Sequence, residues 1–236
     1  MTTPRISSRP ARPRIVWARQ RGDLLLALAL TFTTGIVDAA GYLGLDRVFT
    51  GNMTGNVVVL GMAIVGADGL QVLGPCLALG GFVAGAAFGG RRLRGRPRGG
   101  ATPHLLFACS GTALVTMGVL LCIPGATGTD AVRLTATTGM GMAMGLQAAT
   151  ARFVAVKDIT TVVVTSTLVG MAADRHFNPD AERRGPERPA AILLLTVGAL
   201  IGAACTQWHV SVGLLVAGLV DLVAVGLTTL FTRRAS

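Results

Sequence analysis

A 236-residue chain with 51% hydrophobic and 14% charged residues and a mean hydropathy of +0.62 lacks the balance of a soluble domain and has that of a multi-pass membrane protein. The formal net charge of +10 would suggest nucleic acid in a soluble chain, but 5% aromatic content leaves few stacking platforms and no basic stripe carries interleaved aromatics. The basic residues are therefore read as a topology signal and as contacts to anionic lipid headgroups at the cytoplasmic face, with no nucleic-acid partner.

In chain order, residues 1–22 are rich in Arg and Pro and are expected to form a disordered basic cytoplasmic tail. One membrane domain is expected over residues 23–232. Its first apolar segment, Leu24–Leu45, is too long for a signal-peptide core and reads as an uncleaved span. Further segments of spanning length are Leu70–Gly90, Leu105–Ile123, Ala131–Ala151, Ala190–Trp208 and Val210–Phe231, which gives six expected crossings.

Between these lie two apolar runs, Val57–Ala67 and Val162–Ala173, that are too short to cross. At about 1.5 Å per residue each reaches only about half of a roughly 30 Å hydrocarbon core. Charge decides how they are counted. With six crossings, 19 of the 21 basic residues face the cytoplasm and only Arg47 and Arg133 lie outside, whereas eight crossings would move Arg91–Arg98 to the outer face. The short runs are therefore expected to be re-entrant half-helices, and both termini to be cytoplasmic in a bacterial inner membrane.

The chain also resembles itself. Leu60-Gly61-Met62-Ala63 is echoed by Val169-Gly170-Met171-Ala172, and Gly35-Ile36-Val37-Asp38-Ala39-Ala40 by Gly145-Leu146-Gln147-Ala148-Ala149. The glycine spacing Gly81-x-x-x-Gly85-x-x-x-Gly89 has a counterpart in Gly198-x-x-x-Gly202, and both suit close helix packing. Two halves, about 23–123 and 130–232, each read as span, short run, glycine-spaced span, span. Three crossings per half make them inverted repeats, an arrangement of transporters with sites at the midplane.

Candidate site residues cluster before the short runs. Thr50-Gly51-Asn52-Met53-Thr54-Gly55-Asn56 combines helix N-cap types with glycines that permit a tight turn, and Thr160, Thr161, Thr165, Ser166 and Thr167 supply hydroxyls in the second half. Two half-helices with facing N-termini would favour an anion or polar solute unless carboxylates offset their dipoles. Asp38 in the first span and Asp221 in the last are such carboxylates, costly in lipid and suited to carry a proton or pair with a cation. Asp38 with its approximate repeat partner Gln147 is the first choice for a central site. The expected solute-binding set is Asp38, Asn52, Thr54, Asn56, Gln147, Thr165 and Thr167, with Asp221 as the proton-carrying candidate.

Cys76, Cys109, Cys122 and Cys205 have no regular spacing and read as small packing residues, while His104, His176 and His209 sit singly, so neither a metal nor a cofactor is expected. No HExxH, Gly-x-Gly-Asp, GxSxG or Walker A pattern occurs, which leaves little for an enzyme. Gly35-x-x-Asp38-Ala39-x-Gly41, Val48-Phe49-Thr50-x-Asn52-Met53-Thr54-Gly55-Asn56 with Leu60-Gly61, and Met144-Gly145-Leu146-Gln147 resemble the YoaK-like family of bacterial membrane proteins, from about Asp23 to Phe231. The resemblance implies a multi-pass inner-membrane protein and brings no substrate with it. The expected function is a small-solute permease, optionally proton-coupled. A membrane scaffold or assembly factor is the alternative, and a homo-oligomer is compatible with either.

Overall fold

The computed structural model describes residues 13–97, 100–154, 168 and 187–235, and these are helical apart from their connections. In order they form α1 (Pro13–Gly44), α2 (Met53–Ile64), α3 (Leu73–Leu93), α4 (Ala101–Leu121), α5 (Asp130–Val154), α6 (Glu187–Trp208) and α7 (Val210–Ala235). The tail expected over residues 1–22 falls partly outside the described residues, and from Pro13 onward the chain is already helical. The second short run, Val162–Ala173, lies outside them except for Leu168.

Five of these helices are long and apolar enough to cross a membrane: α3 and α4 over their full lengths, and α1, α6 and α7 over Gly22–Gly44, Pro189–Trp208 and Val210–Phe231. The fourth expected span, Ala131–Ala151, lies within α5, whose 25 residues give ample length at about 1.5 Å each. Its composition is less apolar for a structural reason. Thr137, Gln147 and Thr150 point into the bundle and are buried, together with Met140, Ala143, Met144 and Leu146.

Packing follows the glycines. α5 runs against α3, α1 against α6, and α4 and α1 against α7. On α3, Gly85 meets the carbonyl of Met142 and the amide nitrogen of Leu146, so closely that a Cβ there would strike α5 backbone. On α6, Gly198 meets the carbonyl of Phe32 and the amide nitrogen of Ile36 in the same way. Gly198 lies 113 positions after Gly85, and Met142 and Leu146 each lie 110 positions after Phe32 and Ile36. From the opposite helices, Gly145 meets the Phe82 carbonyl and Gly35 the Leu195 carbonyl, and these pairs carry the same two offsets. The register of the two contacts thus aligns Gly198 and Gly202 with Gly85 and Gly89, which the sequence pattern alone leaves open. Small residues here let backbones approach without voids.

The ends of the helices meet in a fixed order. Asp46, just after α1, accepts a hydrogen bond at 3.2 Å from Nε of Arg133 in the first turn of α5. A Cβ on Gly74, in the first turn of α3, would lie 2.9 Å from the Cβ of Asp46, and Gly44 packs on Val210 at the start of α7. The chain therefore leaves α1 and enters α3 at the same end of the bundle, with α2 as an excursion between them. Arg47 and Arg133 lie at this end, whereas Arg91 and Arg92 close α3 at the other.

Of the cysteines, only Cys205 is buried, and Cys76, Cys109 and Cys122 are exposed. Cys76 and Cys109 lie on outward-facing positions of α3 and α4 and Cys122 caps the end of α4, so among these packing residues Cys205 is the one inside the bundle.

Candidate functional site

Helix α1 presents one inner stripe at helical spacing: Leu30, Thr33, Thr34, Val37 and Asp38. Asp38 is its half-buried terminus and receives the loop that precedes α2. The backbone N–H groups of Thr50 and Gly51 donate to Asp38 Oδ1 at 2.8 and 2.7 Å, and that of Asn52 donates to Oδ2 at 3.1 Å. Three successive amides around one carboxylate form an anion-binding nest at the positive end of α2, and the anion is the chain's own. Asp38 is thus placed where the sequence allowed a carboxylate to offset the helix dipole, against the amides that lead into α2.

Two asparagines complete the turn. Asn52 is the N-cap of α2, its side-chain oxygen accepting from the Gly55 amide at 3.2 Å. Asn56, fully buried, accepts from the Phe49 amide at 2.8 Å and donates its side-chain amide to the Phe49 carbonyl. Asn56 thus satisfies both backbone groups of Phe49. It is engaged with backbone rather than presented to a ligand. Gly55 is required beneath Phe49, since a Cβ there would lie 2.7 Å from the ring, and Phe49 in turn stacks on Tyr42 with centroids 4.9 Å apart.

Asp38, Asn52 and Thr54 line one cavity of about 830 Å³ between α1, α2 and α6. Its other walls include Tyr42, Phe49, Val58, Leu195, Thr196 and Leu200. Three of the expected site residues are therefore together. Gln147 is not among the residues lining this cavity. It lies buried on α5, where its Nε2 donates to the Leu30 carbonyl at 3.5 Å and its Oε1 has no partner among the described residues. The pairing of Asp38 with Gln147 is thus not a direct contact in the described structure, since each is held by its own partners. Thr165 and Thr167, with Thr160 and Thr161, lie outside the described residues.

Asp221 occupies a second, fully buried position in α7, facing α1 and α4. Thr33 donates its hydroxyl to Asp221 Oδ1 at 2.7 Å, while Asp221 Oδ2 has no partner among the described residues. The Leu30 carbonyl links this position to Gln147, because it lies 3.0 Å from the Thr33 hydroxyl and also accepts from Thr34 at 2.7 Å. Gly51 then packs 2.6 Å from the Thr34 methyl and 3.4 Å from Asp38 Oδ1, as measured from an ideal Cβ. Asp38 and Asp221 have separate hydrogen-bond partners, the Thr50, Gly51 and Asn52 amides for the first and the Thr33 hydroxyl for the second.

Sequence reasoning missed Thr33, Thr34, Tyr42, Phe49 and Thr196. The signal for the first two was present, since Thr34 stands four residues before Asp38 and Thr33 three residues after Leu30, one helical face. Thr196 comes from a distant helix and had no such signal.

These features can be set beside known proteins. The family described as "Protein of unknown function (DUF1275)" matches residues 26–227, most of the chain. The chain belongs to the DUF1275 family. It is 32% identical over 193 residues to the UPF0700 transmembrane protein YoaK of Bacillus subtilis (strain 168), covering 79% of this chain and 84% of that relative. No solved structure matches. The matched region of this DUF1275 member contains the Asp38 nest, the cavity and Asp221, and leaves out the Arg/Pro-rich N-terminus. With its apolar helices, the chain is a membrane-embedded, multi-pass helical protein.

Proposed function

We propose that this DUF1275 member is a small-solute permease whose polar site is the α1–α2–α6 cavity around Asp38. The observation that carries the reading is the coincidence of three features at one place. These are an 830 Å³ cavity, a carboxylate at its wall, and the N-terminal end of a short helix within a segment that leaves and rejoins the bundle at one end. Non-spanning helices of this kind are a recurrent way of placing polar backbone inside a membrane, where it is tolerated only if it is held by protein or lines a cavity.

In this reading α2 is re-entrant, α5 is the sixth crossing, and the halves about 23–123 and 130–232 are inverted repeats within one membrane domain over 23–232. The matching glycine contacts of α3–α5 and α6–α1, at constant offsets, support the repeat. Both termini are then cytoplasmic in a bacterial inner membrane, with the arginine clusters against anionic headgroups. Asp221, with one oxygen unpartnered among the described residues in the α1–α4–α7 core, is assigned the coupling proton.

A second reading, a non-transporting scaffold or assembly factor, is favoured by one observation. Asp38, Asn52 and Asn56 are all bonded to the chain's own backbone, as a purely structural turn requires. Uptake separates the two. Purified protein in liposomes, offered radiolabelled amines, carboxylates and sugars, is expected to take up at least one class saturably. Leu200→Trp, which fills the cavity from α6, is expected to reduce that uptake at least tenfold. Absence of uptake of every class would reject the permease reading in favour of the scaffold, and saturable uptake indifferent to Leu200→Trp would reject this cavity as its site.

A further inference from the structure

We infer that the α1–α2–α6 cavity takes a small amphiphile with a cationic head and a short apolar body, admitted from the side of the bundle. The inference rests on the reading of this cavity as the binding site and names the class of ligand. Charge sets the head. Among the described residues that line the cavity, Asp38 is the only acidic one and none is basic. Among the described residues its Oδ1 accepts two amide N–H groups and its Oδ2 one, which leaves Oδ2 a lone pair for a further donor. An anion would meet this carboxylate with no compensating cation, while an ammonium would complete its hydrogen bonding by a charge-assisted bond. Asn52 and Thr54 add polar atoms beside it, and the stacked Tyr42–Phe49 pair lines the same wall, where aromatic faces attract a cation.

Geometry sets the body and the route. The rest of the lining is apolar, and its rim residues Leu43, Val58 and Leu200 are 58%, 58% and 65% exposed on the outside of the bundle. Leu43 and Leu200 lie on α1 and α6, two helices long and apolar enough to cross a membrane, and Val58 lies on the short apolar α2, so the mouth is edged by outward-facing apolar side chains of the kind acyl chains would meet. An 830 Å³ volume falls within the range of about 300–1,000 Å³ that small-molecule sites occupy. A polar wall at the inner end and an apolar mouth fit a molecule that enters head first.

The test uses full-length protein in phosphatidylcholine nanodiscs, with hexylammonium, hexanoate and hexanol as probes and thermal unfolding as the readout. A ligand that binds only the folded state raises its Tm by mass action. Hexylammonium is expected to raise Tm in a saturable manner, at least about threefold more than hexanoate or hexanol at equal concentration. Leu200→Trp is expected to abolish that difference, as this bulk fills the mouth without touching the nest. Asp38→Asn is expected to abolish it too, and if that variant does not fold, the Leu200→Trp comparison alone decides. Equal shifts with hexanoate, or a hexylammonium shift undiminished in Leu200→Trp, would overturn the inference. A specific hexylammonium shift together with absence of uptake of every solute class into liposomes supports the binding inference and rejects the permease reading.

Discussion

At the scale of single residues, the candidate site divides into groups that build the turn and groups that face the cavity. Asp38 does both. Replacing it with Asn removes the charge from a nest of three amides and turns an NH2 group toward donors. Asp38→Asn is expected to cost about 2–3 kcal/mol in denaturant unfolding of the detergent-solubilised protein. Asn56→Asp keeps the acceptor for the Phe49 amide but sets a carboxylate against the Phe49 carbonyl, and an equal or larger loss is expected in the same assay. Thr54→Ala, at an exposed position with no such duty, is expected to stay within about 0.5 kcal/mol of the parent. Thr54 therefore separates ligand binding from folding better than either neighbour. The turn at Thr50–Asn52 was legible from its residue types, whereas Met53–Asn56 of the same polar string form the first turn of α2. That Asn56 would turn toward Phe49 rather than toward a solute was not legible, because either orientation satisfies the same amide.

At the scale of elements, the glycine spacings act through backbone approach. Gly85 and Gly80 lie five positions apart on α3 and make a controlled comparison. A Cβ at Gly85 would strike the Met142 carbonyl, while one at Gly80 meets nothing within 4 Å. Gly85→Ala is expected to lower stability by about 1–3 kcal/mol, and Gly80→Ala to leave it unchanged or raise it by up to about 1 kcal/mol, read from paired thermal unfolding curves. The same contrast is expected at Gly198 on α6, whose Cβ would strike Phe32 backbone. Helix α2 behaves differently, since Asn56, Val59 and Ala63 form its only buried stripe while Val57, Val58 and Ile64 remain exposed. Its shortness was legible from the length of the apolar run. Its start at Met53 rather than Val57 was set by the Asn52 cap, a local hydrogen bond that hydropathy does not see.

At the scale of the whole molecule, the Asp46–Arg133 pair and the Gly74 contact gather the C-terminus of α1 and the first turns of α3 and α5 at one end. Cysteines introduced singly at Arg47, Asp68 and Gly125, in a background without the four native ones, are expected to react with a membrane-impermeant maleimide from one side. A cysteine at Arg96 is expected to react only from the other. Labelling of the Asp68 position from the Arg96 side would mean that α2 crosses. The sequence by itself determined that the chain is a helical membrane protein, where most of its helices run, and which short stretch departs from helix. These properties depend on local composition and on segment length measured against a bilayer. Only the tertiary structure decided that Asp38 is capped by its own chain, that Gln147 and Asp221 stand apart from it in the core, and that Thr196 and Leu200 share its cavity. Such relations join residues far apart in sequence, and close packing and paired hydrogen bonds, rather than any local pattern, select among their alternatives.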